Sequence, residues 1–161
     1  MSETLAEVKN LLKGGEFLVK ESNYQDTFTP EDLNEEQQMI IDTVVSFVDS
    51  EITPIYDRIE HQEPGLTESL LMKAGELGLL GLAIPEEYGG MGKDFNTNSL
   101  LIEYLAKSRS FSLSLGAHIG IGTLPIVYFG NEKQKSYYLP KLASGELKAC
   151  YCLTEPSSGS D

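Results

Sequence analysis

The chain has few basic residues, and that scarcity excludes whole classes of partner. Its 161 residues include 12 Lys and Arg against 25 Asp and Glu, a formal net charge of −13. Nucleic-acid phosphates are bound by clustered cations, and no basic run is present, so we expect no nucleic-acid partner. The same charge disfavours attachment to an anionic lipid surface.

Cysteine is scarce as well. Only Cys150 and Cys152 are present. On one strand their thiols would face the same side, without the further ligands that a zinc site requires. We therefore predict no metal site and expect both cysteines to be buried as small apolar side chains.

Uninterrupted apolar runs are missing too. The longest apolar stretch, 111–129, is broken by serines, three glycines, His118 and Pro125. This pattern disfavours a membrane-spanning helix and favours a buried core helix. Glu3 and Glu7 stand in a first segment without an apolar run, so no secretory signal or mitochondrial presequence is expected. We expect a bacterial, cytoplasmic protein with no membrane segment.

What is present is a helical pattern. Hydrophobic residues make up 40% of the chain and charged residues 23%, the balance of a globular protein with a packed core. Asn34 and Gln37 have the spacing of a capping box, and apolar residues then recur at helical intervals up to an end or kink near Pro54. The inward residues of this helix are predicted to be Ile40, Val44, Phe47 and Val48.

More helices are predicted further along the chain. They are expected from Thr67 to Leu77, from near Asn98, over 111–129, and from Asn131 through Tyr137. Gly78 suits the left-handed residue that ends a helix, and Pro140 is expected to close the last one. The apolar face of the helix before Gly78 is predicted to be Leu70, Leu71, Ala74 and Leu77.

The residue pattern changes at Lys148. Residues 149–154 alternate between two faces, which predicts a β-strand, and 156–159 have the composition of a turn. Before residue 34 no period is sustained. We therefore predict an extension at 1–33, a helical domain at 34–147 and the beginning of a second, β domain at 148–161, which indicates a truncated product.

The segment after the predicted strand is the richest in chemistry. It brings Thr154, Glu155, three serine hydroxyls and backbone amides into one turn. Such a turn donates hydrogen bonds to a phosphate, or to the carbonyl oxygens of a heterocycle, through neutral groups rather than cations. The alternative is a plain solvated turn.

This segment also resembles a known family. Residues 153–161 read Leu-Thr-Glu-Pro-Ser-Ser-Gly-Ser-Asp, which matches without departure the first signature of the acyl-CoA dehydrogenases. Two further stretches, 74–90 and 138–146, agree with that family in order and spacing, so the resemblance covers 34–161. The run Leu-Gly-Ala-His at 115–118 is most like the very-long-chain branch.

The resemblance implies a mainly α fold: the amino-terminal helical bundle domain of the acyl-CoA dehydrogenase fold, followed by the first strand of a truncated middle β-barrel domain. It also implies α,β-dehydrogenation of long-chain fatty acyl-CoA in fatty-acid β-oxidation, with FAD as cofactor. Electron-transfer flavoprotein is the expected acceptor, and a homo-oligomer is expected. In this family a Glu carboxylate removes the α proton, and that base is expected beyond Asp161. The chain itself is therefore expected to hold no catalytic residue and to be inactive alone.

The resemblance assigns the FAD contacts to one stretch. Leu153 and Thr154 correspond to contacts with the isoalloxazine ring, Gly159 and Ser160 to the pyrophosphate side, and Ser160 also to the acyl-CoA. The full set of expected cofactor contacts is Tyr151, Cys152, Leu153, Thr154, Glu155, Pro156, Ser157, Ser158, Gly159 and Ser160.

A stripe of small residues gives a second candidate site. Ser112, Gly116 and Gly120 are four residues apart and share one face of a helix. One interpretation is close approach of a neighbouring helix. The other is a groove that deepens the acyl cavity, because the matching helix lines the pocket in the resembling family. On that interpretation Gly116 and Gly120 bind the substrate.

Two other classes stay open at this point. The same fold serves acyl-CoA oxidases and some flavin monooxygenases, and a helical chain of this length could also act as an interaction module without redox chemistry. The sequence disfavours a nicotinamide enzyme, because the glycines at 116, 120 and 122 lack the G-x-G-x-x-G spacing and follow no strand.

Overall fold

The fold is described from a computed structural model that covers residue 12 and residues 14–159. The chain divides into two compact units, Met1–Gln38 and Met39–Asp161. Helices and turns make up the regular structure of both units within these described residues, which confirms the mainly α class predicted from the sequence.

The first unit consists of short turns where the structure describes it. Single turns of 3-10 helix lie at Gly14–Leu18, Tyr24–Asp26 and Pro30–Asp32. Asn23 caps the middle one, since its Oδ1 accepts the backbone N–H of Gln25 at 2.8 Å. A sequence with no sustained period forms local turns that are capped by their own polar side chains.

Seven α-helices occur in the described part of the chain. They are α1 (Glu35–Phe47), α2 (Tyr56–Glu60), α3 (Leu66–Glu76), α4 (Phe95–Leu105), α5 (Ser110–Ala117), α6 (Leu124–Phe129) and α7 (Glu132–Ala143). A π-helical turn, Val48–Ile52, follows α1, and a second one, His118–Gly122, joins α5 to α6. Single 3-10 turns lie at Thr53–Ile55, Glu86–Tyr88 and Ala106–Ser108.

The start of α1 confirms the predicted capping box. Asn34 Oδ1 accepts the backbone N–H of Gln37 at 2.8 Å, and Gln37 Oε1 accepts the backbone N–H of Asn34 at 3.1 Å. Two otherwise unpaired backbone donors are thereby satisfied. The helix gives way to the π turn after Phe47, and Pro54 follows within the next 3-10 turn.

The larger hydrophobic core lies among the helices of the second unit. The rings of Phe47 and Phe111 meet in it, with centroids 6.0 Å apart. Its buried members are Ile40, Val44, Phe47, Val48, Ile52, Ile59, Leu70, Leu71, Ala74, Leu79, Leu80, Leu82, Leu101, Leu105, Phe111, Leu115 and Ile119. The four inward residues predicted for α1 are all among them.

A second, smaller cluster forms beneath α7 and corrects the prediction for that helix. The helix continues through Pro140 to Ala143 instead of closing at Pro140. Leu142 and Ala143, in the turn after the proline, are buried. Their burial offsets the backbone hydrogen bond that the proline removes. The buried members of this cluster are Ile84, Tyr88, Leu139, Leu142 and Ala143.

One predicted helix detail is wrong, and the start of another helix is made more exact. Leu77 is 47% exposed rather than part of the apolar face of α3, because the helix ends at Glu76 and Gly78 turns the chain with φ +77°. Helix α4 begins three residues before Asn98. Asp94 is its N-cap, and its Oδ1 accepts the backbone N–H of Thr97 at 2.9 Å.

The apolar run in the middle of the chain is buried on one face only. Ser110–Phe129 is a continuous helical segment that is long and apolar enough to cross a membrane by length and composition alone. Phe111, Leu115 and His118 are fully buried inside the protein, whereas Leu113 is 76% exposed. Burial of this helix in the core is therefore confirmed for one face, whereas the other face is exposed and apolar.

Residues 148–154 carry no regular secondary structure, so the predicted strand does not form within the described residues. An isolated bridge between Glu155 and Ser158 is all the β-pairing found there. Both Cys150 and Cys152 are exposed, which contradicts the expectation that they are buried. A strand requires a hydrogen-bonded neighbour, and its inward side chains require a second layer to cover them.

Leu115 and Leu113 provide a matched test of this core, since both lie on α5. We expect Leu115→Ala to lower the free energy of unfolding by about 2–5 kcal/mol, because a fully buried side chain is removed. Leu113→Ala should change it by about 0.5 kcal/mol or less. Urea unfolding of both variants measures the difference, and equal losses would contradict the assigned helix orientation.

Candidate functional site

The main cavity of the second unit lies between a loop, α4 and the second π turn. Its volume is about 700 Å³, within the range of roughly 300–1,000 Å³ typical of small-molecule sites. Most of its wall is apolar. The lining residues are Ala83, Pro85, Gly92, Lys93, Asp94, Phe95, Asn98, Ser99, Ile102, Gly116, Ile119, Gly120, Leu124 and Tyr128.

Glycines keep one wall of this cavity open. A Cβ built at Gly120 would meet no atom within 4 Å, and one at Gly116 would meet only Ile102 Cδ1, at 3.9 Å. No neighbouring helix approaches either glycine closely. Among the described residues, Gly120 therefore faces open space and Gly116 faces the Ile102 side chain, which favours the groove over close helix packing at these two positions.

A second, smaller cavity has a volume of about 420 Å³. Ile102 and Gly116 line both cavities. Ser112, the third member of the stripe, lines the smaller one, and its hydroxyl donates to the carbonyl of Arg109 at 2.6 Å. The stripe thus contributes residues to both cavities, which share Ile102.

The loop that closes the cavity is held by backbone hydrogen bonds. The N–H of Gly92 donates to the carbonyl of Ile84 at 2.8 Å, and the N–H of Lys93 donates to the carbonyl of Leu82 at 2.7 Å. A Cβ at Gly90 would lie 2.0 Å from the Ile84 carbonyl oxygen, so only glycine allows this approach. The cavity wall is therefore preformed at this edge.

Asp94 is the carboxylate of the cavity lining, and it is a weak base. Hydrogen bonds from the side chain and then the backbone of Thr97 hold the pKa of Asp94 below its usual value. A group that abstracts a proton at neutral pH requires a raised pKa instead. Asp94 therefore caps α4 and does not act as a general base.

His118 begins the π turn and is fully buried, as a core histidine was predicted to be. Its Nε2 lies 3.0 Å from the Leu142 carbonyl oxygen, and its Nδ1 lies 3.0 Å from the backbone nitrogen of Ala149. A carbonyl only accepts and an N–H only donates, so the neutral tautomer with the proton on Nε2 satisfies both contacts. Burial lowers the pKa of His118, and the charge of Lys148 acts in the same direction.

The predicted cofactor segment does not line the cavity in the described residues. The side chains of 151–157 are exposed, and Glu155 and Ser158 exchange backbone hydrogen bonds at 2.9 and 3.1 Å across a tight turn. Tyr151 and Leu153 are 57% and 65% exposed. Ser160 lies outside the described residues.

The donor set of this segment fits a flavin nucleotide. The apolar Leu153 and the hydroxyl-bearing Thr154 are consecutive and exposed, and neutral serine hydroxyls follow. A planar heterocycle with carbonyl oxygens offers an apolar face and acceptors to such a pair. The residues present are therefore suitable for one edge of a flavin site.

Several lining residues were not predicted from the sequence. Phe95, Asn98 and Ile102 line the cavity from α4, whose N-cap is Asp94, and Tyr128 lines it from α6. The signal that could have found the α4 residues is an Asp directly before an apolar residue, which is typical of a helix N-cap.

Comparison with known proteins identifies the family. Residues 34–146 match the family model described as acyl-CoA dehydrogenase, N-terminal domain. A probable acyl-CoA dehydrogenase of Bacillus subtilis (strain 168) is 50% identical over 161 residues, which are all of this chain and 27% of that protein. The very long-chain specific acyl-CoA dehydrogenase, mitochondrial, of Homo sapiens is 40% identical over 82% of this chain and 20% of that protein.

A solved structure agrees with these relatives. The crystal structure of acyl-CoA dehydrogenase complexed with FAD from Bacillus anthracis has a TM-score of 0.86 at 50% identity, covering 92% of this chain and 26% of that one. The chain therefore belongs to the acyl-CoA dehydrogenase family, and residues 34–146 match the amino-terminal domain of that family. It spans about a quarter of the length of the two Bacillus relatives.

The buried imidazole of His118 predicts a pH dependence of folding. Because its pKa is lowered in the folded chain, the unfolded chain binds the proton more readily. The neutral His118 imidazole contributes fully to the free energy of unfolding above its ordinary pKa of 6.5. This contribution is lost as the pH falls through the lower pKa that His118 has in the folded chain. Unfolding of the chain, measured at a series of pH values from 7.5 downward, should therefore require less urea as the pH falls.

His61 provides the control, since it is the other histidine and is exposed. We expect the pH-dependent loss to persist in His61→Gln and to be reduced in His118→Gln, which has no imidazole to protonate. Parallel curves for the wild-type chain and His118→Gln would contradict a role for this group.

Proposed function

We propose that the chain is the amino-terminal part of an FAD-dependent acyl-CoA dehydrogenase that acts on long-chain fatty acyl-CoA in fatty-acid β-oxidation. The observation that carries the proposal is the apolar cavity of about 700 Å³ whose wall is opened by Gly116 and Gly120. An alkyl chain is the ligand that such a wall accepts, because it offers apolar surface and no charge. By the complete enzyme we mean a full-length member of the family that contains this chain.

FAD is the proposed cofactor, held along one edge by residues 151–160. When bound, it accepts a hydride from the substrate's β carbon. The part of this chain is to bind and to exclude water: Leu153 offers an apolar contact, Thr154 and the serines offer hydroxyl donors, and the cavity wall covers the alkyl tail. Ser160 is proposed to contact both the cofactor and the acyl-CoA.

The catalytic base is proposed to lie outside this chain. Abstraction of an α proton requires a carboxylate with a raised pKa in a dry site. Asp94 lines the cavity but has a lowered pKa, whereas Glu86, Glu87 and Glu155 are exposed. None of these four carboxylates fits the role of the base, and the chain alone is proposed to be inactive.

Long-chain preference follows from the missing side chains on the cavity wall. Each methylene taken from water contributes about 0.8 kcal/mol, so a deeper cavity favours longer substrates several-fold per methylene. At Gly120 a methyl group would already occupy free space. The smaller cavity that shares Ile102 adds further room along the same stripe.

The exposed apolar side chains of the second unit bear on the partners of the proposed enzyme. Phe95, Tyr128 and Phe129 are large apolar side chains exposed on the second unit, and such a surface is typical of one that other protein covers. We propose a homo-oligomer, an electron-transfer flavoprotein as acceptor, and a cytoplasmic location in a bacterial cell.

Chain-length selectivity is the test of this proposal. In the complete enzyme, Gly120→Leu should lower the ratio of long-chain to medium-chain activity by about tenfold or more, because the new side chain fills the space of several methylenes. The ratio of kcat/KM values for hexadecanoyl-CoA and octanoyl-CoA measures the effect.

Gly15→Leu is a matched control, because Gly15 is exposed in the first unit and lines none of the cavities described above. It should leave the ratio unchanged. If Gly120→Leu lowered stability with an unchanged chain-length profile, the glycine stripe would serve packing and the long-chain assignment would lose its support.

A further inference from the structure

After α7 the chain returns to the helical segment that carries Gly116 and Gly120. Ala149 lies against the π turn His118–Gly122: its backbone N–H donates to His118 Nδ1 at 3.0 Å. A Cβ at Gly122 would lie 2.5 Å from the Cβ of Ala149, so the two backbones meet without room for a side chain between them. The same imidazole also donates from Nε2 to the Leu142 carbonyl at the end of α7.

Ala149 is the last anchored residue before the predicted cofactor segment. Its side chain packs on the smaller hydrophobic cluster, together with Leu147. Within the described residues, the next hydrogen bonds along the chain are those of the turn at Glu155 and Ser158. Residues 150–154 are therefore fixed at one end only, at Ala149.

We propose that His118 and Gly122 are positioning residues that fix the chain at Ala149, and so set where the flavin-binding segment begins relative to the acyl cavity. The proposal rests on the function proposed above. Gly116 and Gly120 open the cavity side of the helix, while His118 and Gly122 hold Ala149. The end of α5 and the π turn after it thus carry both the proposed substrate wall and the anchor of the cofactor segment.

Chain geometry makes this anchor effective. An extended chain advances by at most about 3.6 Å per residue, so Thr154, five residues on, stays within about 18 Å of Ala149. Tyr151 stays within about 7 Å by the same measure. Releasing Ala149 would widen the region that Leu153 and Thr154 sample. Binding of the cofactor would then have to order a segment that is less restricted beforehand.

Two substitutions at His118 separate anchoring from packing. The side-chain oxygen of His118→Asn occupies the place of Nδ1 and can accept from Ala149, whereas the side-chain nitrogen of His118→Gln occupies the place of Nε2 and can donate to Leu142. Both remove the imidazole from the core, so both are expected to lower stability. Only His118→Gln removes the acceptor of the Ala149 N–H.

The first measurement uses this chain and requires no cofactor. Hydrogen exchange of the Ala149 amide, followed by NMR, should accelerate about tenfold in His118→Gln and much less in His118→Asn, which keeps the hydrogen bond. Gly122→Ala should accelerate it as well, because its new methyl displaces Ala149. Gly120→Ala, whose methyl meets no atom, should not.

The second measurement uses the complete enzyme loaded with FAD. We expect His118→Gln to release FAD about tenfold faster and to change the visible absorption bands of the bound flavin, with His118→Asn restoring both toward wild type. Identical effects of Asn and Gln on Ala149 exchange would overturn the anchor. An anchor detected by exchange but without effect on FAD release or absorption would overturn the positioning role. A complete wild-type protein that holds no FAD would overturn the proposed function and with it the positioning role. Hydrogen exchange of the Ala149 amide would still test the anchor in that case.

Discussion

The π turn His118–Gly122 is the constraint on which both halves of the candidate site depend. A π turn inserts one extra residue into a helix and rotates the faces that follow it. Here it directs Gly120 toward the cavity while His118 points into the core and Gly122 lies against Ala149. The Thr123 hydroxyl donates to the His118 carbonyl at 2.6 Å and so satisfies a backbone acceptor at the turn.

The protein is built around two apolar regions with different roles. The larger core closes on itself among α1, α3, α4 and α5, and it fixes the positions of the cavity walls. Around the cavity, by contrast, Phe95 and Tyr128 remain in solvent. A well-packed interior combined with exposed apolar side chains around a cavity is typical of a domain whose function requires further protein surface.

Features determined by local chemistry were predictable from the sequence. The capping box of Asn34 and Gln37, the left-handed Gly78 and the buried His118 each depend on a few neighbouring residues or on one apolar context. The family signature at 153–161 added the class of function, which periodicity alone does not give. The open groove at Gly116 and Gly120 was one of two interpretations, and the choice between them depends on which side chains lie near these glycines in three dimensions.

Features determined by tertiary contacts were not predictable. A proline rule ends α7 at Pro140, but burial of Leu142 and Ala143 carries the helix further. Alternation predicts a strand at 149–154, yet no neighbouring strand pairs with it in the described chain. The contacts of His118 with Leu142 and Ala149 join residues 24 and 31 positions apart, a distance that no local pattern covers.

We propose that the glycine wall receives the alkyl tail of a long-chain acyl-CoA. A crystal structure of the complete enzyme, with FAD and a non-reactive hexadecanoyl-CoA thioether, tests it most directly. We expect carbon atoms of the tail within about 4 Å of Gly116 and Gly120, with the Ile102 side chain at its end or moved aside. A tail that runs elsewhere, with the space beside Gly120 filled by another part of the protein, would contradict the account.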